Sequence, residues 1–156
     1  MDNFSIHEVL QQAVQTEKLG YELYIKLANR FEKDEKLKKL FEMLAVQEQI
    51  HEQTFTEMLE TIDDKAIEKP EEVELYMRAI VESEYFIVDE TQLPSIDNMN
   101  NIEEAIHYAL GFERQTLLYY YGLRDLVKEK AVINKLVAEE KKHIVLLYDF
   151  KKSMGK

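Results

Sequence analysis

Two segments, Leu44–Phe55 and Leu136–Leu147, each set a glutamate and a histidine three residues apart: Glu48 with His51, and Glu140 with His143. In an α-helix, three residues cover about 4.5 Å of axis and about 60° of azimuth, so each pair holds a carboxylate beside an imidazole on one face. One metal ion could touch both. The surrounding periodicity makes these pairs exceptional, because Leu37, Leu40, Leu44, Phe55, Met58 and Ile62 recur at helical spacing with Glu48 and His51 in the same stripe. Ile133, Leu136, Leu147 and Phe150 flank Glu140 and His143 in the same way. A carboxylate on a core face is strongly disfavoured unless it is paired or metal-bound.

Spacing alone does not select these pairs, since Glu104 and His107 match it too. That third pair lies on a helix whose apolar stripe is Ile102, Ile106, Ala109, Thr116/Leu117, Tyr120, Leu123 and Val127, interrupted by Glu113. Glu104 is about 180° and His107 about 120° around the helix from Glu113. Both therefore face outward, with Glu104 placed to satisfy the helix start. The first helix repeats the pattern of one buried acid: Ile6, Leu10, Ala13, Gly20/Tyr21, Tyr24, Leu27/Ala28 and Phe31 form its stripe, and Glu17 breaks it. His7, Glu82 and Glu84 read as solvated surface residues.

Composition restricts the fold and the chemistry. Two prolines and four glycines in 156 residues leave little material for a turn-rich β fold, and helix formers dominate. The expectation is all-α, a single domain over residues 1–156. With 31 acidic against 20 basic residues and a net charge of −11, nucleic acid and anionic membrane are unsuitable partners. Zero cysteine removes disulfides, thiolate catalysis and iron–sulfur ligation. The start, Met1 to Phe4, lacks a charged and apolar leader, and no apolar run approaches the roughly 20 residues of a membrane span, so a cytoplasmic location is expected.

Read in order, the spacing predicts a first helix from about Ser5 to Phe31 and a turn at Glu32–Asp34. Asp34 should cap a second helix that fades near Asp63 and Asp64. A long crossover, about residues 64–100, follows. Pro70 with Glu71 and Glu72 should start a shorter helix carrying Val73, Tyr76/Met77, Ile80 and Ile87 on one side, and Thr91 to Asn101 should be irregular. The third helix should begin near Asn100 or Asn101, and a break at Lys128–Lys130 should precede the fourth. A crossover of that length lets the third helix run parallel to the second, giving a ferritin-like four-helix bundle.

The halves echo each other. Glu17 and Tyr24 are seven apart, as are Glu113 and Tyr120. In antiparallel hairpins, positions equidistant from a turn share a level, which brings Glu17 level with Glu48 and Glu113 level with Glu140. Four glutamates and two histidines should then meet at one height, two helices giving one glutamate each and two giving a Glu-x-x-His pair. Such a cluster needs cations, because converging carboxylates repel one another. Oxygen-rich ligation with two imidazoles suits iron or manganese better than structural zinc, although zinc can occupy such a site in purified protein.

The segments Glu17–Tyr24, Gln47–His51, Ala109–Tyr120 and Glu139–His143 resemble the four ligand helices of rubrerythrin-like proteins, nearly across the whole chain. The resemblance implies a non-haem di-iron site that reduces hydrogen peroxide or uses dioxygen to oxidise Fe(II). Glu17 and Glu113 would be terminal ligands, Glu48 and Glu140 would bridge two iron ions per chain, and His51 and His143 would each supply one nitrogen. Tyr24 and Tyr120 could hydrogen-bond to the ligating carboxylates. The chain differs from full rubrerythrins in having no cysteine-ligated rubredoxin-type domain, so electrons would come from an external donor protein, rubredoxin-like or a reductase. It also lacks a glutamate three residues from Glu113, where Leu110 and Thr116 stand. Peroxidase activity is the leading expectation; ferroxidase and iron handling, or a non-enzymatic metal or oxidant sensor, are the alternatives. A homo-oligomer, a dimer first, is expected.

Overall fold

The computed structural model describes residues 5–63, 71–83, 86–128 and 130–154. It contains helices α1 (Ile6–Arg30), α2 (Glu35–Thr61), α3 (Glu71–Val81), α4 (Ile102–Leu126) and α5 (Ala131–Met154). Two 3-10 turns, Glu90–Gln92 and Ile96–Asn98, lie between α3 and α4, where irregular chain was expected. Met1 to Phe4, Asp64, Pro70, Glu84 and Glu129 lie outside the described residues, so the leader reading, the proline start of α3 and the solvation of Glu84 do too. Ile87 falls beyond the end of α3 rather than on its apolar side.

The helix boundaries have local causes. Ser5, Asp34 and Asn101 accept hydrogen bonds from the backbone N–H of Glu8, Leu37 and Glu104 at 3.1, 3.1 and 2.9 Å, each satisfying a donor that the first turn leaves unpaired. Glu104 also accepts from Asn100 N at 3.4 Å, so the acid of the third Glu-x-x-His serves the start of α4. The break between α4 and α5 contains neither glycine nor proline. Instead, Lys130 Nζ donates to the carbonyls of Arg124 and Val127 at 2.9 and 2.6 Å, closing the end of α4 with a cation.

The directions of the helices follow from two apolar clusters. One contains Val9 and Leu10 of α1, Phe55 of α2, Tyr120 and Leu123 of α4, and Ile133 and Leu136 of α5. The other contains Leu23 and Leu27 of α1, Leu37 and Leu44 of α2, Ile106 and Ala109 of α4, and Leu147 of α5. Hence α1 and α5 run from the first cluster to the second, whereas α2 and α4 run the opposite way and are parallel to each other. The crossover has to travel the length of the bundle between them. Glu17, Glu48, His51, Glu113, Glu140 and His143 fall between the two clusters on their helices. No helix among the described residues is long and apolar enough to cross a membrane.

The crossover helix packs on α4. Met77 is fully buried, and Tyr76 Oη donates to Leu118 O at 2.6 Å. Contact this close is possible because position 122 is glycine: a Cβ there would lie 2.1 Å from Met77 Sδ and 2.9 Å from the Tyr76 ring. The substitution Gly122→Ala is therefore expected to destabilise the fold by about 1–3 kcal/mol through overpacking, despite alanine's better helix propensity. Urea unfolding reads this as a lower midpoint; an equal or higher one would show that α3 does not depend on this seat.

Candidate metal centre

The six sequence-predicted residues meet. All are at most 3% exposed, and one donor atom from each falls into one of two groups whose members lie within 4.8 Å of one another. Glu17, Glu48, His51 and Glu140 form one group, and Glu48, Glu113, Glu140 and His143 form the other. Glu48 and Glu140 belong to both. The two imidazoles lie nearly parallel, with ring centroids 5.7 Å apart and planes inclined by 16°. Both turn Nδ1 inward: His51 Nδ1 is 2.9 Å from Glu140 Oε1 and 3.6 Å from Glu17 Oε1, while His143 Nδ1 is 3.4 Å from Glu140 Oε2 and 3.5 Å from Glu113 Oε1.

Proximity here is not pairing. Glu17 Oε2, Glu113 Oε2, both oxygens of Glu48 and of Glu140, and Nδ1 of both histidines are buried without a hydrogen-bond partner. Even the 2.9 Å contact is misaligned as a hydrogen bond, so the donors converge on common points rather than on one another. Each such buried atom carries a desolvation cost of about 1–3 kcal/mol, more where charged. A cation at each point would satisfy several at once, so the donor set fits divalent metal.

The surrounding groups hold these donors in place. Tyr24 Oη donates to Glu113 Oε1 at 2.5 Å, and Tyr120 Oη donates to Glu17 Oε1. Each tyrosine thus ties its helix to the acid of the opposite hairpin. Burial, reinforced by the nearby carboxylates, raises both phenols well above their ordinary range and keeps them protonated donors. Position 20 is glycine because the site is tight against α1. A Cβ there would lie 2.9 Å from Glu48 Cδ and 3.1 Å from the Phe112 ring.

Glu139 was not anticipated from the sequence. Its Oε2 lies 2.6 Å from His51 Nε2, on the outer side of the ring, and the contact fixes the ring so that Nδ1 faces inward. Its only sequence signal is adjacency to Glu140, and residues one apart on a helix point about 100° apart, so it reads as solvated. The flanking positions of Glu113 supply no further acid, since Thr116 Oγ1 donates to Phe112 O at 2.9 Å. His107 is exposed on the outer face of α4, as expected.

Burial raises Glu17 and Glu48 well above the carboxylate range; Glu17, Glu140 and Glu113 reinforce the rise at Glu48, whereas at Glu17 contacts with Glu48 and Tyr120 oppose it and Glu140 and Glu113 add to it. Glu113 is raised to about 8, first by burial and then by Glu140. Burial also opposes charge on Glu140, but Glu113, His143 and His51 outweigh it and hold that carboxyl below its ordinary value. Burial would lower both histidines. Glu140, Glu48 and Glu139 instead raise His51 to about 9, and Glu113 and Glu140 raise His143 to about 10.

The Rubrerythrin family model matches residues 8–144. Among solved structures, the chain is similar to a protein from Thermotoga maritima described as a ferritin-like diiron-carboxylate protein. The similarity has a TM-score of 0.72 at 22% identity and covers 96% of this chain and 95% of that one. The likeness establishes a ferritin-like fold. No curated protein sequence matches the chain.

The pKa shifts give a sign for the metal-free protein. A group with a folded-state pKa above its unfolded value contributes stability that is complete below the unfolded value and is lost as pH rises through the folded one. For Glu113 that interval runs from 4.5 to about 8, and for His51 and His143 from 6.5 to about 9 and 10. Glu140 acts oppositely, but only in the acid range below 4.5. Metal-stripped protein should therefore melt at progressively lower temperature as pH is raised from 5 to 9. Calorimetry at constant ionic strength measures this, and a flat or rising melting temperature would contradict the clustered arrangement.

Proposed function

The chain belongs to the rubrerythrin family, and from that membership we propose that its buried centre holds two iron ions and reduces hydrogen peroxide with electrons from an external donor. The observation that carries this reading is the pair of overlapping donor groups sharing Glu48 and Glu140. Two cation positions with two common carboxylates make a dinuclear site. Glu17 and His51 would complete one position, and Glu113 and His143 the other. Four carboxylates against two cations of charge +2 balance, which relieves the mutual repulsion that raises Glu17, Glu48 and Glu113. Manganese or zinc would satisfy the same donors, but zinc has no redox couple to supply.

When bound, a ferrous pair would supply the two electrons that, together with two protons taken up from solvent, reduce one peroxide to two water molecules. The protein's part is positioning. Tyr24 and Tyr120 each occupy one oxygen of Glu113 and Glu17 with a hydroxyl proton and leave the other oxygen for a metal. Glu139 would accept the Nε2 proton of His51, so that with metal bound in place of the second proton the Nδ1 lone pair would be directed inward. Apolar clusters on both sides restrict water around the six donors. With zero cysteine in the sequence, no rubredoxin-type relay exists within these residues, and the electrons would come from outside them.

Anaerobic Fe(II) titration should saturate at two ions per chain, and Glu48→Ala combined with Glu140→Ala should abolish binding at both positions. Peroxide should then oxidise the diferrous protein rapidly in one turnover, with cycling only after a donor is added. Saturation at one ion would remove the dinuclear site; faster oxidation by dioxygen with growth of an iron mineral would favour ferroxidase chemistry instead.

A separate prediction concerns Glu139. Glu139→Gln leaves all six ligands present but weakens the hold on His51, so metal affinity should fall by about 10–100-fold. Competition against a chromophoric chelator measures the change, and an unchanged affinity would show that the Glu139 contact does not orient the imidazole.

A further inference from the structure

The outer face of α4 bears a cavity of about 540 Å³, completed by Ile87 of the crossover and Lys151 of α5. That size falls within the range of small-molecule sites, roughly 300–1,000 Å³. Its charge is opposite to that of the protein. The chain carries 31 acidic and 20 basic residues, yet among the described residues no acidic side chain lines this cavity, while His107, Arg114 and Lys151 do. None of these three makes a hydrogen bond or ion pair with another described residue.

Gly111 is a second, independent observation. It sits inside a 25-residue helix, where glycine is among the poorest residues for helix stability. Unlike Gly20 and Gly122, it has no neighbour that demands it, since a Cβ would meet nothing within 4 Å. What its missing side chain does is keep the cavity floor open. Beside it, Tyr108 and Phe112 bring aromatic surface to the wall. Phe112 also connects the cavity to the centre: its ring and Glu48 Cδ lie 3.1 and 2.9 Å from the position of a Gly20 Cβ, which places them within about 6 Å of each other.

We propose that this cavity binds a planar aromatic molecule carrying a phosphate, with the ring against the Gly111 and Phe112 floor, His107 at its edge, and the phosphate beside Arg114 and Lys151. Two permanent cations, Arg114 and Lys151, with no acidic side chain among the described lining residues, suit a dianion better than a single carboxylate, and arginine's fork matches phosphate oxygens. The ring supplies the apolar contact that inorganic phosphate lacks. The inference stands apart from the dinuclear reading, because it concerns binding on the far side of Phe112 and holds whether or not metal occupies the centre.

Flavin mononucleotide is the probe, followed by fluorescence, with riboflavin as its phosphate-free counterpart, on the full chain both as isolated and after iron loading. Saturable binding is expected, at least tenfold tighter for the mononucleotide than for riboflavin and weakened by salt. Arg114→Gln with Lys151→Gln should remove that preference. Gly111→Leu should abolish binding of both probes while leaving the melting temperature equal or higher, since it fills open space and improves the helix. Absence of saturation, equal affinity for the two probes, or full binding by Gly111→Leu would each overturn the proposal.

Discussion

Four glutamate carboxylates withdrawn from water at one level of the bundle are the constraint on which the rest of the structure depends. Burial opposes their charge first and repulsion from neighbouring acids adds to it, and for Glu17, Glu48 and Glu113 the net effect is a raised pKa. An apolar layer at this height would pack with less cost. The chain accommodates the cluster by keeping strong apolar packing on both sides of it and by placing Tyr24 and Tyr120 across the bundle, each on an acid of the other hairpin. The same residues that make the middle of the fold expensive are those that can receive cations. Stability and ligand chemistry are therefore coupled at the level of individual oxygens.

Much of this was legible because a helix repeats. A carboxylate in an apolar stripe is visible in one dimension, and the equal distances of Glu17/Glu48 and Glu113/Glu140 from their turns turn four such visible breaks into a shared level. Asp34 as a cap, and a helix start near Asn100 or Asn101, were legible from local residue type. The break after α4 was placed only by the restart of the pattern, and the contact that makes it, Lys130 on two carbonyls, has no sequence signature. The rest depended on tertiary approach. Glu139 reads as one more surface acid until His51 from another hairpin arrives beside it.

The glycines separate two kinds of close contact that look identical in the sequence. Gly20 yields its side chain to the Glu48 carboxylate and the Phe112 ring, and Gly122 yields its own to Met77 and Tyr76. Both are consequences of where a neighbouring element passes, which local propensity does not encode. Gly111 belongs to neither kind.

The parallel course of α2 and α4 also affects how the bundle assembles. Each hairpin closes across a short turn, Phe31–Asp34 in one case and 127–130 in the other, so its contacts are local and inexpensive in loop entropy. The buried centre is different: Glu17, Glu48 and His51 come from one hairpin, Glu113, Glu140 and His143 from the other, and the crossover lies between them. Each donor group is thus completed only by the non-local docking of the two halves. During synthesis the first hairpin emerges carrying three of the six polar groups on an uncovered face. The second hairpin supplies the other three, so the full set of donors exists only once the whole chain has folded.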